Sequence, residues 1–306
     1  MEIKTSIIIL NYNTKVVTLS CLKSLVANTK KVNFEVILID NASADGSIEK
    51  IQSSRLKIQN MKIVRNKKNL GFAKANNQGI KLAQGKYILL LNSDTLVTNN
   101  VIGEMAIWMD NNPKVGIASC KLLNEDGSIQ GTGGYFPTLP RVFSWMTIED
   151  IPFIDRLIKP FHPMRSKSFY KNFNFYKKEK ELDWLTGAFL FIRRKVFDDI
   201  GSINEDYFMY TEDVDFCYRA KMAGWNVSYL PRWSITHFGG ASSTKEFPII
   251  SEFEGIKLFY KKHYPSWQYP VLRLFLKTGS LLRILAMGII YGKEAGATYA
   301  KAFKIA

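Results

Sequence analysis

The sequence predicts an α/β fold: a Rossmann-like, mostly parallel central sheet with flanking helices. Three observations carry the prediction. Short uninterrupted apolar runs alternate with helix-like segments through the first hundred residues, the pattern of βαβ units whose parallel strands are covered on both faces. Each run ends in polar residues, as strands do where an open sheet presents its ligand crevice. The chain has 306 residues, 46% of them hydrophobic and 13% aromatic, which is enough to bury a large core and far from the profile of disordered chains.

The elements follow in order. "SIIIL" ends at Asn11 and leads into helix-like "VVTLSCLKSLVAN". "FEVILID" ends at Asp40 and precedes "GSIEKIQSS". "MKIVRN" closes at Asn66 before "NLGFAKANNQGIKLAQG", and "KYILLLN" runs into Ser93 and Asp94. Asn11, Asp40, Asn66 and Asp94 are therefore expected to converge beyond the carboxyl ends of the strands. No G-x-G-x-x-G and no P-loop follows the first strand, so an ordinary dinucleotide or P-loop site is not supported. "VIGEMAIWMDNNPKVGIASCKLL" reads as a helix and then a strand, 124–182 as an irregular segment, and "LTGAFLFIRR" as a further strand.

Charge is segregated along the chain. Residues 156–180 carry 8 basic against 1 acidic residue, and 255–306 carry 9 against 1, whereas 181–254 carry 7 against 12. Cys21, Cys120 and Cys217 have no paired spacing, which suits a reduced compartment and no zinc or disulfide framework. The opening apolar run is too short for a signal peptide, and no stretch reaches eighteen apolar residues. The expected location is the cytoplasm, or peripherally the inner face of the cell membrane.

The acidic stretch "YFMYTEDVDFCYRAKMAGW" gathers Glu212, Asp213 and Asp215 within four positions. Thr211 reads as the N-cap of a helix whose first-turn acids gain ~0.3–1 kcal/mol from the dipole, and Asp215 and Arg219 have ion-pair spacing. Helix-start acids, metal ligands and a catalytic base all remain open on this stretch alone.

Seven motifs, "IIILNYN", "ILIDNASADGS", "NLGFAKANNQGI", "YILLLNSDT", "DWLTGAFLFIRR", "NEDYFMYTEDVDFCYRAKMAGW" and "ITHFGG", resemble in kind, order and approximate spacing those of family 2 glycosyltransferases, nearest their rhamnosyltransferase-like branch. The resemblance covers about residues 5–245. It implies the GT-A nucleotide-diphospho-sugar transferase fold over 1–254, with 1–100 as the nucleotide-binding half and 101–254 as the acceptor-binding half, followed by a basic helical extension over 255–306. The implied activity is inverting transfer of a sugar, rhamnose or another hexose, from a dTDP- or UDP-linked donor. The implied acceptor is a hydroxyl of a saccharide or polyprenyl-diphosphate-linked molecule in surface glycan assembly.

Residue by residue, the resemblance implies that Asp40 accepts a hydrogen bond from the pyrimidine. Asn11 and the Asn69–Asn77 segment, including Gly71, Asn76 and Asn77, would line the nucleoside and diphosphate. Asp94 would hold Mg²⁺ or Mn²⁺ on the diphosphate, with His237 as a second metal contact. Asn92 stands where the family often has a first Asp; one carboxylate with substrate phosphates and waters is still normal coordination for Mg²⁺. Asp213 would be the general base, Glu212 its supporter at the acceptor, and Trp184 beside Gly187 would shape the acceptor pocket.

In 270–292, Arg273, Lys277, Ser280 and Arg283 fall within an arc of about 120° on an otherwise apolar helix. The stripe reads either as a face toward anionic lipid or as packing on the catalytic domain or a second subunit. The basic, aromatic 156–180 stretch reads as a lid over the acceptor or a second lipid-facing piece. No recognised nucleic-acid module is present. Two further classes stand beside the transferase: a sugar nucleotidyltransferase, for which "NYNTKVV" supplies only Lys15 in place of a basic phosphate loop, and a basic membrane- or nucleic-acid-binding protein with a degenerate site.

Overall fold

The computed structural model describes residues 2–54, 56, 58, 60–148, 158–162, 175–239, 247–291 and 293–306, without the side chains of 286–291 and 293–295. Twelve strands are described: β1 (Thr5–Asn11), β2 (Phe34–Asp40), β3 (Met61–Arg65), β4 (Tyr87–Asn92), β5 (Thr95–Leu96), β6 (Val115–Leu123), β7 (Ile129–Gln130), β8 (Gly133–Gly134), β9 (Lys180–Glu181), β10 (Trp184–Leu185), β11 (Phe189–Arg193) and β12 (Asn226–His237). The helices are α1 (Lys15–Asn28), α2 (Ser47–Ser53), α3 (Phe72–Leu82), α4 (Val101–Asn111), α5 (Leu139–Met146), α6 (Arg194–Ile200), α7 (Glu212–Met222), α8 (Phe247–His263), α9 (Gln268–Tyr291) and α10 (Lys293–Ile305).

The main sheet runs β3-β2-β1-β4-β11-β6-β12-β5. Its first four strands are parallel, and their side chains are buried on both faces in β1, β2 and β4. That double burial is why they read as continuous apolar runs rather than as alternating ones. Register then lines up their carboxyl ends: Asn11 stands opposite Asp40, and Leu10 opposite Asn92. The second half is mixed, because β11 is antiparallel to both β4 and β6. At the far edge β12 runs antiparallel to β5 with His237 paired to Thr95. This pairing carries a residue from late in the chain to the end of β4.

The C-terminal helices are built into this body. Phe253, Ile256 and Phe259 of α8 and Leu272 and Leu276 of α9 share one buried cluster with Trp145 of α5 and Val214 and Phe216 of α7. The expected boundary at 254/255 falls inside α8, so the helix begins before the extension does. Lys257 Nζ donates to the Ile305 carbonyl, tying α8 to the end of α10.

Two members of the basic stripe of α9 are tied to main-chain carbonyls, although Arg273 remains exposed and Lys277 half-buried. Arg273 Nε donates to the Ala306 carbonyl at 3.0 Å, and Arg283 donates to the carbonyls of Trp145 and Met146; Ser280 is fully buried. Free carbonyls at helix ends outcompete water for these guanidinium groups. Of the two readings of the stripe, these bonds fit packing on the rest of the chain. Among the described residues no helix is long and apolar enough to cross a membrane. Of the irregular 124–182 segment, β7, β8, α5 and β9 are ordered elements; most of the 156–180 stretch lies outside the described residues.

Candidate active site

A cleft of about 420 Å³ opens where the parallel strands end. Tyr12, Asn41, Asn69, Gly71, Asn92, Ser93, Asp94 and His237 line it, together with Thr186, Gly187, Phe208, Tyr210, Glu212, Asp213 and Phe247. The structure thus brings Asp94 and Asp213 to one cavity from positions more than a hundred residues apart.

Asp94 follows β4 and is nearly buried. His237 Nε2 lies 3.3 Å from Asp94 Oδ1 and 3.3 Å from Asn92 Nδ2. The other ring nitrogen, Nδ1, contacts Gln130 Oε1 at 2.5 Å, while Gln130 Nε2 donates to Asn124 Oδ1 at 3.0 Å. That second bond orients the Gln130 amide so that its oxygen receives the Nδ1 proton. In the neutral ring the Nε2 lone pair then faces the Asp94 carboxylate. Two acceptors facing each other at this distance fit a shared cation, and the outer Gln130 contact is the kind that fixes a metal-binding imidazole. Among the described residues no group of three or more His, Cys, Asp or Glu could hold a metal by itself. A divalent ion here would draw its remaining ligands from substrate phosphates and water, as Mg²⁺ commonly does.

Asp213 sits in the first turn of α7. Its Oδ2 accepts from the Gly187 main-chain N–H at 3.0 Å and its Oδ1 from the Val214 N–H at 2.9 Å. Burial pushes the carboxyl above its ordinary value, and the two N–H bonds oppose that rise. Glu212 is raised well above its ordinary value, by burial first and then by the charge of Asp213; its Oε2 is buried with no hydrogen-bond partner. Asp213 is thus stabilised as a carboxylate by main-chain N–H groups at both oxygens, whereas Glu212 Oε2 has no such bond.

The third acid is structural. Burial alone would raise Asp215, but the hydrogen bond from His263 and the charge and hydrogen bond of Arg219 hold it below the usual carboxylate range. Arg219 Nε is 2.8 Å from Oδ2, and His263 Nε2 2.7 Å from Oδ1. The expected Asp215–Arg219 pair is present, and His263 of α8 joins it.

The expected Thr211 cap is absent. Thr211 has φ 69° and makes no side-chain cap bond. Tyr210 and Thr211 both lie in the left-handed region, a conformation that persists only where neighbours enforce it. One such neighbour is Gly255 of α8, where a Cβ would stand 2.3 Å from Thr211 Oγ1. Another is Gly71 (φ +79°), where a Cβ would stand 2.4 Å from the Phe208 carbonyl, which itself accepts from the Phe72 N–H. Residues 208–211 are thereby pressed between the start of α3 and α8, and this aims Glu212 and Asp213 into the cleft.

The remaining expected residues divide. Gly71 and Asn69 line the cleft; Gly187 lines it and holds Asp213. Asn11 is fully buried, donating to Asp40 Oδ1 and Ser43 and accepting from Thr14 and Thr18. Both N–H groups and both lone pairs of Asn11 are thus engaged internally, one N–H on Asp40. Asp40 lies behind the cleft lining, and its neighbour Asn41 faces it. Asn76 donates to the Phe72 carbonyl, and Asn77 to Ile203 and Glu205; both are buried away from the cleft and fasten α3. Trp184 is buried against Phe161 and His162, with Nε1 on the Tyr135 carbonyl, so its ring does not line this cavity.

Sequence reading missed Asn41, Tyr210 and Phe247. Asn41 accepts from the Leu70 N–H and Asn66 and donates to Asn69; its place after a strand-end Asp was the available signal. Phe247 comes from α8, and no local pattern marks it.

Comparison with known proteins gives the family and the fold. The profile of Glycosyl transferase family 2 matches residues 6–201. The N-acetylglucosaminyl-diphospho-decaprenol L-rhamnosyltransferase of Mycobacterium tuberculosis is 26% identical over 263 residues, 81% of either chain. The low-salt glycan biosynthesis hexosyltransferase Agl10 of Haloferax volcanii is 24% identical over 92% of this chain and 84% of its own. Among solved structures, GalNAc-T7 with UDP, GalNAc and Mn²⁺ matches with a TM-score of 0.62 at 15% identity, covering 91% of this chain and 51% of that one. The Pyrobaculum calidifontis mannosyltransferase PcManGT with GDP-Man and Mn²⁺ matches with a TM-score of 0.57 at 14% identity, covering 99% and 86%. The fold is that of GT-A glycosyltransferases. The chain belongs to glycosyl transferase family 2.

Proposed function

We propose that the chain is an inverting, divalent-metal-dependent transferase that moves a hexose, rhamnose in the first instance, from a dTDP- or UDP-linked donor to a hydroxyl of a lipid-linked saccharide acceptor. The observation that carries this reading is the shared cleft of Asp94 and Asp213. The two carboxylates are held in different ways, one against His237 and the other by main-chain N–H groups. The rhamnosyltransferase relative, which covers most of this chain, supports the rhamnosyl group and the lipid-linked acceptor by its name.

Asp213 takes the proton of the acceptor hydroxyl as the oxygen bonds to the anomeric carbon. The bond from that carbon to the diphosphate oxygen breaks on the opposite face, so configuration inverts and the nucleoside diphosphate leaves with the electron pair. Burial keeps the Asp213 carboxylate poorly hydrated and hence a better base, a contribution of about 10²–10⁴-fold in such enzymes. Asp94 and His237 would hold the divalent ion, whose positive charge neutralises the departing diphosphate. Asn69 and Gly71 line the cleft, where they would meet the nucleotide.

A nucleotide-sugar panel tested by thermal shift with Mg²⁺ or Mn²⁺ examines the reading. A bound donor raises the melting temperature by mass action, and Asp213→Asn should keep that shift while losing transfer. No stabilisation by any dTDP-, UDP- or GDP-sugar overturns it.

A further inference from the structure

The rotation of α9 leaves a row of leucines uncovered. Leu274, Leu281, Leu282 and Leu285 are 61%, 52%, 48% and 59% exposed, and Trp267, just before the helix, is 63% exposed. At about 100° per residue, Leu274, Leu281 and Leu285 lie within about 40° of one another. Phe143 of α5 extends the face, 37% exposed and edge-on to Phe275 at 5.1 Å.

This rotation is locked. Leu272 and Leu276 are fully buried on the opposite side. Gly279 lies so close to α5 that a Cβ would stand 2.5 Å from Met146 Cβ. Arg273 and Arg283 are tied to main-chain carbonyls at either side. The leucines therefore stay outward without rearrangement, an arrangement that soluble surfaces seldom carry without a partner.

Charge identifies the partner. Residues 255–306 carry 9 basic residues against 1 acidic, with Lys261, Lys301 and Lys304 exposed around the helices. A second copy would bring the same positive face and almost no acid to balance it. An anionic lipid surface supplies both an apolar phase for the leucines and the opposite charge for the lysines, with an exposed tryptophan at a depth where such rings settle. We propose that the leucine face of α9 docks the protein on anionic membrane, with the helix lying in the interface and the lysines of α8 and α10 on headgroups. The proposal stands apart from the reaction assigned to the cleft.

The test is sedimentation of the full chain with phosphatidylcholine vesicles that contain or lack phosphatidylglycerol. The wild type should bind the anionic vesicles, and Leu274→Glu/Leu281→Glu/Leu285→Glu should weaken binding at least about tenfold. Lys301→Glu/Lys304→Glu should weaken binding to anionic vesicles and flatten its salt dependence, with little change on neutral ones. The leucine positions are exposed, so the melting temperature should hold; if it falls, the corresponding serine variant replaces it. Unchanged vesicle binding by the leucine variants overturns the proposal. A wild type that ignores vesicles and sediments as a dimer, which the leucine variant dissociates, overturns it in favour of a contact between copies.

Discussion

The main-chain N–H of Gly187 donates to Asp213 Oδ2 at 3.0 Å. The bond joins the loop before β11 to the first turn of α7. It supplies a fixed N–H dipole that opposes the rise burial imposes on the carboxyl. Glu212, one residue earlier, has no such bond at Oε2.

Asp213→Asn should lower kcat by about 10²–10⁴-fold with little change in donor binding. Because burial raises the Glu212 carboxyl well above its ordinary value, the neutral isostere Glu212→Gln should keep most activity, whereas Glu212→Asp, which shortens the side chain, should not. Because the Asp213 carboxyl is raised, the acid limb of kcat/KM should lie above the ordinary Asp value of about 3.9. A profile with its acid limb at that ordinary value would contradict the assignment.

Glu212 also marks stability. Its folded carboxyl is raised above the unfolded one, so the folded state is favoured at low pH and loses that contribution as pH rises through the folded value. Melting temperatures across pH 4–9 should fall less toward the alkaline end in Glu212→Gln than in the wild type.

Asp215 has the opposite sign. Its carboxyl is held below the unfolded value, so its contribution is present above about pH 3.9 and is lost as pH falls through the folded value. Arg219→Ala leaves a fully buried carboxylate with only His263 and Tyr207, and should cost about 3 kcal/mol at pH 7. Urea unfolding should show that difference shrinking toward pH 3.

Gly71→Ala should disturb chemistry from a distance. The substituted residue meets both a positive φ and the Phe208 carbonyl at 2.4 Å, so residues 208–211 must shift. The strain alone amounts to about 1–3 kcal/mol. Falls in both the melting temperature and kcat are expected, read by thermal unfolding and initial rates.

Removal of metal by a chelator should abolish transfer, with recovery on Mg²⁺ or Mn²⁺. Gln130→Leu removes the acceptor of the His237 Nδ1 proton and should raise the metal concentration needed for half activity by about 10-fold or more. Equal metal requirements in variant and wild type would show that His237 is not a ligand.

The parallel half of the sheet was legible because β1, β2 and β4 are buried on both faces and so leave continuous apolar runs. The strand ends carrying Asn11, Asp40 and Asp94 followed from that. The helix at Glu212 was legible on separate grounds, its first-turn acids and the Asp215–Arg219 spacing. The antiparallel insertion of β11 was not legible, since a buried strand of either direction has the same apolar pattern.

By itself, the sequence determined the family, the chemical types present and the order in which they occur. Tertiary structure decided which of them meet. Asn11 and Asn77 have the right chemistry for a nucleotide, but internal partners engage their side-chain amides; Asn76 is buried on the Phe72 carbonyl. His237 reaches Asp94 because β12 pairs with β5, a contact between distant segments that no local period encodes. The rotation of α9 was likewise set by carbonyls at Trp145, Met146 and Ala306. Helical periodicity shows that a helix has two faces; only the groups packed against it determine which face is buried.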